Sequence, residues 1–299
     1  MAARRRPEPE QEPALVAGIA LTHPDRVLFP EQGITKRELA RYHETVADWI
    51  LPELAGRPLS LVRCPQGRRK ACFFQRHPGA TVPDRVETVA IPGEPEPYLA
   101  VRDLPGLIAL VQIGVLELHP WPARAATPEH PDRLILDLDP GEGAPFEGVV
   151  AAARIAREML TGLGLASFVK TTGGRGLHVV VPLASAHGWA AHQAAAKTLA
   201  ERLAATAPDR LTTAIRKAER RGRIFVDWLR NARGASAVAP YSPRARTGAP
   251  VAMPLAWDEL GPGLDPATFT VRTVPGLLRN RPDPWAGIAS LRQALPEDL

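Results

Sequence analysis

Three features of the sequence predict an α+β fold. Residues 133–140 form an apolar run ending in carboxylates, Leu136-Asp137-Leu138-Asp139-Pro140, and an Ala-rich helix over 146–163, closed by Gly164, comes next. Residues 168–170 and 177–181 read as two strands joined by Thr172-Gly173-Gly174-Arg175-Gly176, a turn with glycines where positive φ is needed. A second Ala-rich helix spans roughly 189–205, and the last core strand, 223–229, comes after it. With 299 residues, 45% of them hydrophobic, the chain can bury the core of one large two-lobed domain or two modest ones.

The other elements are read from the N-terminus. Residues 1–18 mix Arg, Pro, Glu and Ala without periodicity and read as a flexible arm. Thr35 caps a helix with Glu38 three residues on, and Leu39, Tyr42, His43, Val46, Trp49 and Ile50 recur at helical spacing up to Pro52. Residues 59–63 are a strand, Phe73-Phe74 comes after a basic turn, a Pro-rich loop covers 93–97, and 98–102 is a further strand. The apolar run 107–118 is predicted helical, and the Pro- and Gly-rich tail after Trp257 is expected to wrap the domain. No internal repeat is evident.

Of the 37 basic residues only Lys36, Lys70, Lys170, Lys197 and Lys217 are lysine, so arginine dominates a net charge of +5 and a pI near 9.6. Its planar fork suits phosphate, and the balance is compatible with a nucleic-acid partner. Between Arg210 and Arg246 ten basic residues face two acids, Glu219 and Asp227, which suggests a phosphate-facing wall. Cys64 and Cys72 stand alone, with no zinc-ligand spacing, and are expected as free thiols in a reducing cytoplasm. No apolar run approaches the roughly 20 residues of a membrane span, and the start lacks a signal-peptide core.

Asp137 and Asp139 lie two apart in a strand and so project from the same face. Two like charges so close call for a cation, and their natural partner is a hard divalent metal that leaves room for water and phosphates. Asp227, alone in the apolar run Ile224-Phe225-Val226-Asp227-Trp228, is the candidate third ligand; three carboxylates can hold two metals for in-line phosphoryl transfer. An Asp-x-Asp pair by itself is equally a turn or strand-end feature, and a single strand Asp a rim or cap. The turn Lys170-Thr171-Thr172-Gly173-Gly174-Arg175-Gly176-Leu177-His178 offers backbone N–H groups, a hydroxyl, an Arg and a His suited to a triphosphate, without the Gly-Lys-Ser/Thr ending of a P-loop.

These three segments, in this order and spacing, resemble the motifs of the archaeo-eukaryotic primase superfamily. With His23-Pro24-Asp25-Arg26-Val27-Leu28-Phe29-Pro30, Glu117-Leu118-His119-Pro120-Trp121, Arg230-Asn231-Ala232-Arg233-Gly234 and Ala239-Pro240-Tyr241-Ser242-Pro243-Arg244-Ala245-Arg246, the chain resembles the polymerase domain of bacterial ligase D over residues 19–275. The resemblance implies a primase-polymerase core of two packed mixed sheets flanked by helices, with catalytic carboxylates on strand ends and 276–299 as a wrapping segment. It implies that Asp137, Asp139 and Asp227 hold two Mn2+ or Mg2+ ions. His119, Thr172, Gly174, His178 and Arg220 would contact the incoming nucleotide, and Phe73 and Phe74 would stack at the templating position. Arg26, Lys36 and Arg63 would grip the 5′-phosphate of a DNA end, with Lys217, Arg244 and Arg246 also at the DNA. Thr172 stands where the family usually has Ser, which keeps the hydroxyl but adds a methyl near the sugar. Arg26 and Arg76 replace lysines common in the family.

The expected activity is addition of nucleotides, NTP over dNTP, to primer 3′ ends at gaps or breaks during bacterial end joining, with Ku and a ligase as partners, in the cytoplasm at the nucleoid. No ligase or nuclease segment comes after the domain, so a stand-alone protein or a domain cut from a multidomain ligase is expected. The rival readings are a primase acting outside end joining, an Asp-x-Asp phosphatase, disfavoured by Pro140-Gly141 after the second Asp, and a non-catalytic DNA-end-binding module. The 5% aromatic content argues against stacking along a long single strand.

Overall fold

A computed structural model describes residues 14–296 and 299; residues 1–13 of the expected arm lie outside it. Residues 14–18, assigned by composition to that arm, instead form a β-hairpin with residues 19–21. Strand β1 (Ala14–Val16) runs antiparallel to β2 (Ile19–Leu21) across a turn at Ala17 and Gly18, and Val16 and Leu21 are buried. Strands β3 (Val27–Phe29) and β4 (Ile34–Thr35) lead into α1 (Lys36–Thr45). Its start is the expected capping box: Glu38 N–H donates to Thr35 Oγ1 at 3.2 Å and Thr35 N–H to Glu38 Oε2 at 2.8 Å. The helix does not run unbroken to Pro52, because Val46 leaves helical geometry and α2 (Ala47–Leu54) starts afresh with Pro52 inside it.

One sheet is built from β5 (Leu59–Arg63), β6 (Phe73–Gln75), β7 (Glu87–Val89) and β8 (Tyr98–Ala100), and after α3 (Leu104–Gln112) β9 (Val115–Pro120) pairs with β5. The predicted helix 107–118 is thus corrected: helix ends at Gln112, Gly114 turns the chain at φ 85°, and the rest of the apolar run becomes β9. A continuously apolar run carries no period that separates helix from strand, and the unpaired edge of β5 decides. The cysteines are a second correction. Register pairs Arg63 with Phe73, so Cys64 and Cys72 are the next facing positions, and they form a disulfide with Cα atoms 4.4 Å apart.

The other sheet comprises β10 (Arg133–Pro140), β11 (Phe168–Thr171), β12 (Leu177–Pro182), β13 (Leu211–Thr212), β14 (Ile224–Asp227) and β15 (Pro254–Leu255), in the order β13-β14-β10-β12-β11-β15. Within it the β13–β14 pair is parallel and the others are antiparallel. Helices α4 (Phe146–Gly162) and α5 (Trp189–Thr206) cover one face, packed on β10.

Strand alternation explains which face does what. Leu134, Leu136 and Leu138 of β10, Leu177, Val179 and Val181 of β12, Val169 of β11, and Ile224 and Val226 of β14 all belong to the main core. The alternate positions therefore turn to the opposite face: Ile135, Asp137 and Asp139, then His178 and Val180, then Lys170, then Asp227. A short helix, α6 (Val274–Leu278), precedes the tail. Trp285 packs with Ile135, Val180, Ala237 and Ile288, and its indole N–H donates to Val169 O at 3.0 Å. Among the described residues no helix is long and apolar enough to cross a membrane.

Candidate active site

Register brings the carboxylates together. Asp137 on central β10 faces Asp227 on β14 to one side and His178 on β12 to the other, and Lys170 on β11 faces His178. A cleft opens over this face, lined by His119, Asp137, Asp139, Thr172, His178, Ser236, Ala237, Val238, Arg230, Arg244 and Arg246. His119 comes from β9, so the cleft lies where the two sheets meet.

Asp137 is buried, and Arg230 Nε donates to its Oδ2 at 3.1 Å while lying 4.0 Å from Asp227 Oδ2. Nε2 of His178 is 3.3 Å from Asp137 Oδ1, an atom that receives no well-directed hydrogen bond. Burial alone would raise the pKa of Asp137, but His178 and Arg230 hold its carboxyl well below the usual range. Burial, reinforced by Lys170, pushes His178 itself down to about 4, and Arg230 is the cation hydrogen-bonded to Asp137. Asp139 is pushed up to about 6 by burial and by the charge of Asp137, and Asp227 is raised by burial and by Asp137, against the hydrogen bond it accepts from Leu229 N–H.

Among the described residues no three His, Cys, Asp or Glu side chains are gathered as a ready-made metal cluster. The donor set nonetheless fits a hard divalent cation. It offers carboxylate oxygens only, one buried Asp137 oxygen without a hydrogen bond, and a second carboxyl, Asp139, raised by burial and by the charge of Asp137. Arg230 supplies the positive charge that this arrangement demands.

Glycines bring backbone close to these groups. A Cβ on Gly176 would meet Asp139 Oδ1 at 2.7 Å and Leu138 O at 2.8 Å. On Gly141 it would fall 1.9 Å from the carbonyl oxygen of Arg220, so only glycine lets the loop holding Lys217 and Arg220 close against the end of β10. Arg220 is half-buried with its guanidinium 3.5 Å from the Phe225 ring centre, and Nε donates to Ala214 O at 2.8 Å. Lys217 is exposed.

Glu117 organises the far wall. Its Oε2 accepts from Arg244 Nε at 2.8 Å and lies 2.8 Å from His119 Nε2, and its Oε1 accepts from Ala245 N–H at 2.8 Å. Burial raises its pKa, but the His119 hydrogen bond and the Arg244 charge outweigh this and lower it to about 2.

Of the remaining expected residues, Phe73, Phe74, Arg63, Lys36, Arg26 and Gly174 lie outside the cleft lining. Phe73 and Phe74 are 46% and 71% exposed, not core, and the Phe74 ring centre is 6.4 Å from that of His119. Arg63 Nε donates to Ile113 O at 2.7 Å and Lys36 Nζ to Gln112 O at 3.0 Å, so both sit at the C-terminal end of α3. Arg26 Nη1 donates to Pro65 O at 3.1 Å. Lys36 is buried rather than a free surface cation, pushed down to about 8 by burial and by Arg26. Gly174 borders an adjoining hollow with Arg175 and Arg246, the last of which lines both. Arg244 and Arg246, expected at the DNA, line the cleft beside the carboxylates. Sequence reasoning assigned no role to Glu117, Arg230 or Lys170, although each lies within one of the motifs. Strand alternation with His119 was the available signal for Glu117, and the pairing of Lys170 with His178 across the predicted hairpin was the signal for Lys170.

A mixed sheet that aims carboxylates from neighbouring strand ends into a cleft lined by arginines, packed beside a second sheet, is an architecture of the primase-polymerase class. The chain belongs to the family described as LigD, primase-polymerase domain, which it matches over residues 35–285. It is 39% identical over 290 residues to the multifunctional non-homologous end joining protein LigD of Pseudomonas aeruginosa, covering 94% of this chain and 34% of that protein. It is 35% identical over 259 residues to the multifunctional non-homologous end joining DNA repair protein LigD of Mycobacterium tuberculosis, covering 83% and 34%. The chain thus spans about a third of the length of these relatives. Its fold matches the polymerase domain from Mycobacterium tuberculosis ligase D in complex with DNA, with a TM-score of 0.84 and 30% identity over 92% of this chain and 99% of that one.

Proposed function

We propose that the chain adds nucleotides, ribonucleotides before deoxyribonucleotides, to primer 3′ ends at DNA gaps or breaks bearing a 5′-phosphate. It does so in bacterial end joining with Ku and a DNA ligase, in the cytoplasm at the nucleoid. The observation that carries this reading is the register of β10: Asp137 is flanked by Asp227 and His178 and shares one cleft with Asp139, Arg244 and Arg246.

Asp137, Asp139 and Asp227 hold two Mn2+ or Mg2+ ions, which when bound supply the positive charge that phosphoryl transfer requires. The rest is positioning by this chain. His119 and His178 line the cleft from opposite sheets and bracket the nucleotide, with Thr172 beside its sugar and Gly174 and Arg220 at its phosphates. Arg244 and Arg246 face the reacting ends. Phe73 and Phe74 present exposed rings to the templating base. Arg26 and Arg63 form the patch for the 5′-phosphate, with the buried Lys36 ammonium adding its charge from behind them, and Lys217 faces the DNA backbone.

Incorporation of a single ribo- or deoxynucleotide into a gapped duplex, with and without the 5′-phosphate and with Mn2+ or Mg2+, tests the reading. Templated addition stimulated by the phosphate is expected. End binding without any addition, whatever the metal, would replace it with a non-catalytic end-binding module.

A further inference from the structure

We propose that Cys64 and Cys72 are a reversible thiol–disulfide modification site, reacting with low-molecular-weight disulfides, that clasps the basic loop of residues 65–71 between Arg63 and Phe73. The two cysteines extend the β5–β6 register by one facing pair, with Cα atoms 4.4 Å apart. The loop they close carries Arg68, Arg69 and Lys70 and lies against β3. Arg68 N–H donates to Leu28 O at 2.8 Å, Arg69 Nε donates to Glu31 Oε1 at 2.7 Å, and a Cβ on Gly67 would meet Val27 O at 2.9 Å. Arg68 also reaches Glu31 at 2.7 Å and Thr247, next to the cleft residue Arg246. The clasp therefore joins the strand end that bears Arg63 to the strand that bears the exposed Phe73 and Phe74.

The sulfurs differ in access. Cys64 is fully buried and Cys72 is exposed. The Cys72 thiolate attacks one sulfur of the small disulfide, forming a mixed disulfide and releasing one thiolate. The Cys64 thiolate then attacks the Cys72 sulfur and expels the second. Two protein thiols lose two electrons, one small disulfide is reduced to two thiols, and the two protons pass to the leaving thiolates. Bonds of this kind in reducing compartments are characteristically transient and regulatory. β6 has three residues, and with the bond open it is held only by non-covalent contacts. These are its ladder, the Arg63 guanidinium over the Phe73 ring, the Arg63–Gln75 hydrogen bond and the loop's bonds to Leu28 and Glu31, so opening the clasp loosens the register of Phe73.

The test equilibrates the full chain in oxidised or reduced glutathione. After acid quenching, alkylation in denaturant and mass measurement should give no adduct in the first state and two in the second, interconvertible in both directions. A duplex with a 5′-phosphorylated gap should bind about fivefold more tightly to the oxidised form, as the competent hairpin becomes the dominant population. A Cys64→Ser, Cys72→Ser double variant should bind like the reduced protein in both buffers. Two adducts in both buffers would overturn the proposal, and so would equal affinity of both redox states in a protein that still senses the 5′-phosphate. The effect on DNA rests on placing the end at this hairpin; indifference to the 5′-phosphate in both states would refute that placement instead.

Discussion

Replacing Glu117 should damage both the fold and the cleft, because three donors converge on one buried carboxylate: Arg244 Nε, His119 Nε2 and Ala245 N–H, all at 2.8 Å. Glu117→Ala leaves Arg244, whose side chain is only 15% exposed, without its counter-charge. Removing one member of a buried pair costs about 3–5 kcal/mol. Glu117→Gln should be little better. Both carboxylate oxygens accept, so the amide group must face at least one N–H whichever way it is turned, and the expected loss is ~2–3 kcal/mol. Urea unfolding reads the stability. Steady-state primer extension reads the site: KM for the incoming nucleotide should rise about tenfold or more as Arg244 and His119 lose their fixed positions, with a smaller change in kcat. A Glu117→Ala protein with a wild-type unfolding midpoint and unchanged KM would show that this carboxylate organises neither the fold nor the cleft.

Three other outcomes are expected. Gly141→Ala should push away the loop around Arg220, whose carbonyl oxygen a Cβ would meet at 1.9 Å, losing ~1–3 kcal/mol in denaturant titrations and raising KM for the nucleotide. His43 and His192 are pushed down to about 3 and 4 by burial, so the unfolded chain protonates first: their stabilisation is whole above about pH 6.5 and wanes as the pH falls. At pH 5 each costs ~2 kcal/mol relative to the neutral range, and His43→Gln should flatten the pH 7 to 5 dependence of the unfolding free energy from urea titrations by that amount. Asp139, pushed up to about 6, works in the opposite sense over the same interval. Arg230→Ala removes the guanidinium lying 3.1 Å from Asp137, so Mn2+ titrated into the variant and followed by the free-ion spin-resonance signal should bind several-fold more tightly; weaker binding would show that Arg230 supports the metal site instead of competing with it.

What the sequence revealed was what strand alternation controls. Asp137 and Asp139 could be placed on one face because a period of two leaves no choice once Leu136 and Leu138 go to the core, whereas His178 read equally as a core histidine. What it hid depended on partners far along the chain. Glu117 and Arg244 are 127 residues apart, and nothing local to either announces the other. The helix expected through 107–118 ended at Gln112 because β5 offered an unpaired edge to Val115–Pro120, a tertiary fact. Lys36 looked like a surface cation at a helix start, yet Thr22 and Gln112 carbonyls bury its ammonium. The cysteines looked unpaired because eight residues of separation say nothing until the β5–β6 register is known.

Templated nucleotide addition by the carboxylate face of β10 stands or falls on single-turnover incorporation of a ribonucleotide into a 5′-phosphorylated gap, by the wild type and by Asp137→Ala, both shown folded by urea unfolding. The variant should still bind the gapped duplex while incorporation falls by at least about 10³-fold, the scale expected when a charge aimed at the reacting centre is lost. Incorporation at the wild-type rate by the Asp137→Ala protein would contradict a catalytic role for this face.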